Sequence, residues 1–261
     1  MSAAVAVGLS LSAIPGSSGT TTTVSSRPSS ETFGKAADSS TESKATYYDV
    51  RAGATPTQSA VLQRKAAAAG ARQPTSRLRA SLGSEAVVDM DGLTGTPRQL
   101  ARLDGFLTRR SALPASAVAM GYVRTHATAL GLTQRDIAGL RLARNYVDIA
   151  GTHHLSYVQY AGGVPLFGNG LQANVTRDGR LLSLGGSPVS GLHAASVGSV
   201  ITDGRSAVST ARRDQGDAAK VGPADDARAV LFQTPTGTRR AWETITMSAE
   251  HPALTVLDSA T

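Results

Sequence analysis

The chain has five histidines and no cysteine, and these two counts limit the chemistry it can perform. The histidines are His126, His153, His154, His193 and His251. A zinc peptidase of the H-E-x-x-H type needs two histidines one helical turn apart, with a glutamate base between them. No pair in this sequence has that spacing. The absence of cysteine also excludes a thiolate nucleophile and a disulfide framework.

His153 and His154 are adjacent in a stretch that predicts a β-strand. Neighbouring side chains on a strand point to opposite faces, so this pair cannot bind one metal ion from one face. We expect one of the two to be buried and the other exposed. No G-x-S-x-G sequence is present, and no serine has a recognisable histidine and acid around it. The sequence therefore predicts no catalytic residue, metal ligand or bound cofactor in this chain.

Four short patterns invite a site assignment but fit turns or strands better. Residues 168–173 match G-x-G-x-x-A, yet strand-like sequence follows where a dinucleotide site needs a helix, and residues 183–196 contain no acid. Residues 89–92 lack the ligand spacing of a calcium loop. Asp225 and Asp226 form a short acidic loop to which we assign no site. Residues 174–176 fit a glycosylation sequon but lie in a predicted strand.

Composition allows a folded, cysteine-free protein with a basic surface. The 261 residues are enough for one large domain or two small ones, and 41% are apolar. Aromatic residues make up only 4%, so the core must be built from Ala, Val and Leu. The net charge of +7 indicates either an anionic partner or the arginine bias of GC-rich codons. The four phenylalanines are not clustered with arginine, which argues against specific nucleic-acid binding.

Residues 1–46 are predicted to be a leader without a core of its own. Residues 3–14 are apolar but too short to span a bilayer. They are similar to the hydrophobic part of a secretory signal whose charged start is missing, as a start codon placed too far downstream would produce. The alternative is a disordered apolar start. Residues 15–45 are rich in Ser, Thr, Gly and Ala and are predicted to be disordered.

The remaining sequence alternates helical and strand patterns in two blocks. Helices are predicted over 57–69, 75–82, 114–131 and 202–214, with a short turn capped by Thr133 and Asp136. Strands are predicted over 86–90, 99–103, 140–150, 153–161, 164–167, 171–176, 181–184, 229–233, 240–247 and 254–257. The fold class is α+β: two consecutive helix-plus-antiparallel-sheet modules preceded by a disordered leader.

Two local features allow more specific structural predictions. Gly162 and Gly163 fit a two-residue hairpin turn, in which both residues need positive φ. Trp242 is the one tryptophan in the chain, and we expect it to be buried as the anchor of the second module.

Residues 152–170 resemble the pro-region of the fungalysin-type secreted zinc metallopeptidases, the fungalysin/thermolysin propeptide motif. Residues 146–156 look like the bacterial branch in particular. The likeness spans roughly residues 47–261 and is strongest at 87–98 and 140–188. The residues that carry the motif are Thr152, His153, His154, Gln159, Gly162, Gly163, Val164, Pro165, Phe167, Gly168, Asp178 and Gly179.

The resemblance implies a division of the chain. Residues 47–110 would be an N-terminal pro-region segment, 111–192 the propeptide-motif module, and 193–261 a module similar to PepSY. In the family a catalytic domain follows in the same chain, and it would bind the zinc and any calcium. Ser259, Ala260 and Thr261 would then begin an exposed, flexible processing junction. The present chain would be either a fragment of a longer reading frame or a free-standing pro-region.

The function that the resemblance implies is that of a propeptide, not an enzyme. It would act as an intramolecular chaperone and inhibitor of its cognate metallopeptidase domain, and would be secreted without a membrane span. The alternative is a free-standing exported module that binds some other protein or peptide. The coding sequence downstream of Thr261 distinguishes them, because an H-E-x-x-H sequence there supports the propeptide.

Overall fold

A computed structural model of the chain describes residues 5–6, 56–192, 203–216, 221–247 and 252–259. Helices and antiparallel sheets make up this part, so the predicted α+β class is confirmed. Apart from residues 5–6, the predicted leader lies outside the described residues, as do His193, His251, Ala260 and Thr261.

The elements follow the predicted order closely. The helices are α1 Pro56–Ala71, α2 Gln73–Leu82, α3 Ala115–Thr125, α4 Gln134–Ala138 and α5 Gly204–Asp214. The strands are β1 Val5–Ala6, β2 Ala86–Met90, β3 Pro97–Arg102, β4 Leu140–Val147, β5 His153–Ala161, β6 Val164–Pro165, β7 Leu171–Val175, β8 Leu181–Gly185, β9 Asp226–Thr234, β10 Gly237–Met247 and β11 Pro252–Asp258.

The first sheet is antiparallel and has the strand order β2-β3-β8-β7-β5-β4, with β6 paired to β5. One row of opposed residues crosses five of its strands: Val88, Leu100, Leu184, Ala173 and Leu155. All five are buried, because they face the helix layer to which α3 belongs. This row forms the centre of the main core.

The β2–β3 hairpin belongs to this same sheet. Strand β3 pairs with β8, with Leu100 opposite Leu184. The sheet therefore runs across residue 110, where the sequence suggested a division between two segments.

The second sheet has the order β1-β11-β10-β9, and α5 packs against β9, β10 and β11. Ala207 and Ala211 of α5 pack against Leu257 and Trp242. Trp242 packs against this cluster but is only partly buried, so the expectation that it is buried is wrong. The small side chains of Ala207 and Ala211 cover less of a large indole than bulkier residues would.

Helix α3 is shorter than predicted. It begins after Pro114 but ends at Thr125, whereas the apolar spacing predicted helix as far as Gly131. The chain turns instead, and Ala127, Leu130 and Leu132 remain buried in the main core. The apolar residues at helical spacing here belong to a turn that packs against the core. A 3.6-residue period alone does not distinguish such a turn from a helix.

Candidate functional site

His154 lies in a line of polar side chains on the outer face of the first sheet. Its Nε2 lies 2.9 Å from Asp148 Oδ2, and its Nδ1 lies 2.7 Å from Asn174 Oδ1. The Asn174 amide in turn donates to Ser183 Oγ at 2.8 Å. The ring of Tyr146 stacks on His154, with 5.8 Å between centroids. Strand pairing produces this line, because Tyr146, His154, Asn174 and Ser183 are opposite one another in successive strands.

The geometry favours the imidazolium form of His154. A carboxylate and, as placed here, an amide oxygen both accept hydrogen bonds, so both ring nitrogens must donate. The hydrogen bond to Asp148, followed by that to Asn174, raises the pKa of His154 above its ordinary value. The same hydrogen bond from His154 is the main cause that lowers the pKa of Asp148. Asn174 separates Ser183 from the histidine, so these groups do not form a catalytic triad.

His153 lies on the opposite face, as predicted for adjacent strand residues. Its Nδ1 lies 3.0 Å from Asn145 Oδ1. Both histidines are half-buried, so the expectation of one buried and one exposed histidine is wrong. They lie near the edge strand β4, beyond which no other described strand completes their burial.

The Gly162–Gly163 turn has the predicted geometry. The φ values are 57° and 82°, and the strands on either side, β5 and β6, pair in antiparallel register. Both residues in the left-handed region make this a hairpin turn of the type that glycine permits at low cost.

Residues Val164–Phe167 join the two sheets, and we call this contact with β9 the module joint. The amide of Phe167 donates to the Leu231 carbonyl at 2.8 Å, and Leu166 pairs with Leu231 in parallel register. The Leu166 side chain is buried with Leu231 and two residues of the connecting chain, Val189 and Leu192. Phe167 lies beside Phe232, with 6.2 Å between ring centroids. The Val-Pro-Leu-Phe part of the motif therefore has a structural role.

Two buried polar side chains hold the chain that leaves the first sheet. Gln159 is fully buried, donates to the Val189 carbonyl and accepts from the Val189 amide, both at 2.8 Å. Asp136, which forms the predicted capping box with Thr133, also accepts from the amides of Gly191 and Leu192 at 3.0 and 3.1 Å. The bonds to Val189 and Leu192 satisfy backbone groups of buried residues that would otherwise lack a partner.

Asp178 and Gly179 form the turn between β7 and β8. Asp178 accepts hydrogen bonds from Thr176 and Arg180, which lower its pKa to about 2, and it also pairs with Arg110. Gly179 has φ of 76°, and a Cβ there would lie 2.0 Å from the Ser111 carbonyl oxygen. The turn therefore requires glycine for its conformation and for its close contact with the Ser111 backbone.

The other motif residues lie in turns or in the short strand β6. The Thr152 amide donates to Asp148 Oδ1 at 2.9 Å, which closes the β4–β5 turn beside His154. Pro165 lies in β6 opposite Tyr160, and Gly168 has φ of 75°. The motif therefore brings together a hairpin, a module joint and a polar line.

Strand β4 is the edge of the first sheet next to this polar line, and every residue after Leu140 is exposed. On the outer face Arg141, Arg144 and Tyr146 lie opposite Val158, Ser156 and His154. On the inner face Leu142 and Val147 are 45% and 47% exposed. Strand β4 therefore presents arginine, aromatic and apolar side chains at one exposed edge within the motif region.

The expected processing junction does not begin at Ser259. Its side chain is 1% exposed, and its hydroxyl and amide both donate to the Arg240 carbonyl, at 3.0 and 3.1 Å. The prediction that the chain is exposed from Ser259 is wrong. A small polar residue need not face water, because its hydroxyl can donate a hydrogen bond to a buried carbonyl instead.

No group of three or more potential metal ligands lies together in the described ranges. In the same ranges, no helix has the length and apolar character needed to cross a membrane.

One segment of the chain matches a known family model. Residues 138–188, which run from the end of α4 through β8 to Pro188, match the Fungalysin/Thermolysin Propeptide Motif. The match covers the polar line, the hairpin and the module joint. No curated protein matches the chain.

Several residues of this surface were not predicted from the sequence. Asp148 and Asn174 become partners of His154 only through strand register. Arg141 and Arg144 lie on one face although three positions apart, because a bulge between Leu142 and Arg144 shifts the alternation. Strict alternation places them on opposite faces, so the pattern alone could not have identified this pair.

Proposed function

We propose that the chain is the pro-region of a secreted, fungalysin-type zinc metallopeptidase, which it helps to fold and keeps inactive. The observation that carries the proposal is the propeptide motif over 138–188, within the sheet whose exposed edge is β4. A protein that binds and masks a peptidase needs a rigid scaffold and an available surface, not catalytic groups of its own. The cognate peptidase domain is the proposed partner, and it would bind the zinc and any calcium.

The division of the chain is part of this proposal. Residues 47–110 and 111–192 would act as one unit, since β3 pairs with β8 in a single sheet. Residues 193–261 would be the PepSY-like module, held to that unit by the module joint. Residues 1–46 would be the leader required for export.

Tethering would make such an inhibitor effective at modest intrinsic affinity. A short flexible connection gives an effective concentration on the order of millimolar. Binding to the folded peptidase but not to its unfolded chain also shifts the folding equilibrium by mass action. One surface could therefore serve both the inhibitor and the chaperone roles.

The experiment adds the purified chain in trans to a fungalysin-type zinc peptidase that has been separated from its own pro-region. We expect lower activity on a short peptide substrate and a higher yield when the denatured peptidase is refolded with the chain. A serine peptidase assayed in parallel is the control and should be unaffected. Gel analysis must show that the chain stays intact. No inhibition at high micromolar concentration, together with no gain in refolding yield, would contradict the proposal.

A further inference from the structure

Strand β4 has an unpaired edge beside an incompletely covered sheet. It pairs with β5 on one side, and no other described strand lies on its other side. Alternate residues of an edge strand direct their N–H and C=O groups away from the sheet. Leu142 and Val147 on the inner face are also only half covered. A further strand at this edge would satisfy the backbone groups and bury the two apolar side chains.

The positive charge of two arginines at this edge favours pairing with an acidic strand. Arg141 lies over the Tyr160 ring at 4.5 Å, and Arg144 is exposed. Neither forms an ion pair within the described residues. Arginines on an edge oppose pairing with another copy of the same edge, because like charges would then be close together. They attract an acidic strand for the same reason.

We infer that β4 binds an extended peptide segment in which acidic and apolar residues alternate, by adding it to the first sheet as a new edge strand. Acidic side chains of the segment would lie beside Arg141 and Arg144 on the outer face. Apolar side chains would lie beside Leu142 and Val147 on the inner face. Backbone hydrogen bonds provide affinity in this mode of recognition, and the alternating side chains provide specificity. That the segment belongs to the peptidase rests on the proposed function.

The first test uses three synthetic hexapeptides. An alternating Glu-Val peptide should slow hydrogen exchange of outward-facing amides in residues 140–147. A Lys-Val peptide of equal length should not. A Glu-Val peptide N-methylated at alternate residues keeps its charge but loses its ladder donors, and it should bind much more weakly. Equal binding by the methylated peptide, or protection elsewhere than β4, would overturn strand addition.

The second test uses two double variants with the same change in charge. R141E/R144E should weaken binding of the Glu-Val peptide about tenfold or more at low salt, with a smaller effect at high salt. R77E/R109E changes two exposed arginines on other elements and should bind like the parent chain. An unchanged thermal midpoint in both variants shows that the fold is kept. Equal weakening in both would overturn the inference.

The two proposals fail separately. If the chain inhibits no zinc peptidase but the Glu-Val peptide protects β4, the proposed function fails and strand addition stands. If inhibition is normal but the peptide does not protect β4, strand addition is overturned and the propeptide role stands.

Discussion

At the scale of single residues, His154 shows how strand register assembles a hydrogen-bonded polar group on the outer face. The backbone brings Asp148 and Asn174 within hydrogen-bond distance of both ring nitrogens. In a neutral imidazole one ring nitrogen carries a lone pair, which would face an acceptor oxygen here instead of a donor. The ring therefore binds its second proton more tightly in the folded state. The Tyr146 ring stacked on this imidazolium adds a favourable contact between a cation and an aromatic face.

The first prediction concerns the pH dependence of this contact. Because folding raises the pKa of His154, its contribution to stability is fully present below the ordinary histidine pKa. That contribution is lost as pH rises through the folded-state pKa. The lowered pKa of Asp148 works in the other direction, so its contribution is lost as pH falls through the folded value. NMR titration of the His154 ring protons should show a midpoint above that of a model peptide.

Asp148→Asn is the matched control for this titration. Asparagine keeps an oxygen that can accept from the Ala150 and Thr152 amides, but it replaces the carboxylate beside Nε2. The His154 pKa should fall in this variant while the turn stays intact. A midpoint for His154 that is not raised in the parent chain, or that is unchanged in Asp148→Asn, would refute the assigned hydrogen bonds.

At the scale of elements, the sequence predicted most strands because alternation, turn glycines and short spacings agreed. Strand β5 has the predicted bounds, and the Gly162–Gly163 turn has the predicted φ values. The predicted end of α3 was wrong because the buried residues of the turn that follows the helix also have helical spacing. Neither the bulge in β4 nor the contact between β6 and β9 could be predicted, since both arise from pairing between distant segments.

The acidic loop of the second module has a role that its local sequence does not indicate. Asp225 receives two hydrogen bonds from Arg212 of α5, at 2.8 and 2.9 Å, and the two side chains are 0% and 7% exposed. Asp225 also accepts from the amides of Gly222 and Met247. The loop thus has a structural role: Asp225 ties the end of α5 to β10.

The second prediction is that Asp225→Ala destabilises the second module by about 3–5 kcal/mol, the usual cost of removing one member of a buried ion pair. Urea unfolding measures it, and Asp226→Ala, which changes an exposed neighbour, should be nearly neutral. The hydrogen bond from Arg212 is the main cause that lowers the pKa of Asp225 to about 2. The stabilisation should therefore persist above the ordinary aspartate pKa and disappear as pH falls towards 2. Equal stability of the two variants would show that the pair is not coupled to the fold.

At the scale of the whole molecule, the propeptide motif connects two sheets that are far apart in sequence. Its Val164–Phe167 part leaves β5 through a glycine turn and pairs with β9. Gln159 and Asp136 fix the start of the chain between the modules from the first-sheet side. The motif therefore constrains how the second module sits on the first.

The third prediction tests this connection. Leu166→Ala should cost about 2–5 kcal/mol, the range for truncating a buried leucine, because its side chain is 4% exposed between the modules. Leu103→Ala is the control, since Leu103 is 75% exposed and its loss should be nearly neutral. If the joint couples the modules, hydrogen exchange in Leu166→Ala should accelerate in β9 and β10 while β7 and β8 stay protected, as expected for opening of one cooperative unit. Uniform acceleration in both sheets would show instead that the two modules unfold as one unit, and the same exchange in parent and variant would show that the joint does not couple them.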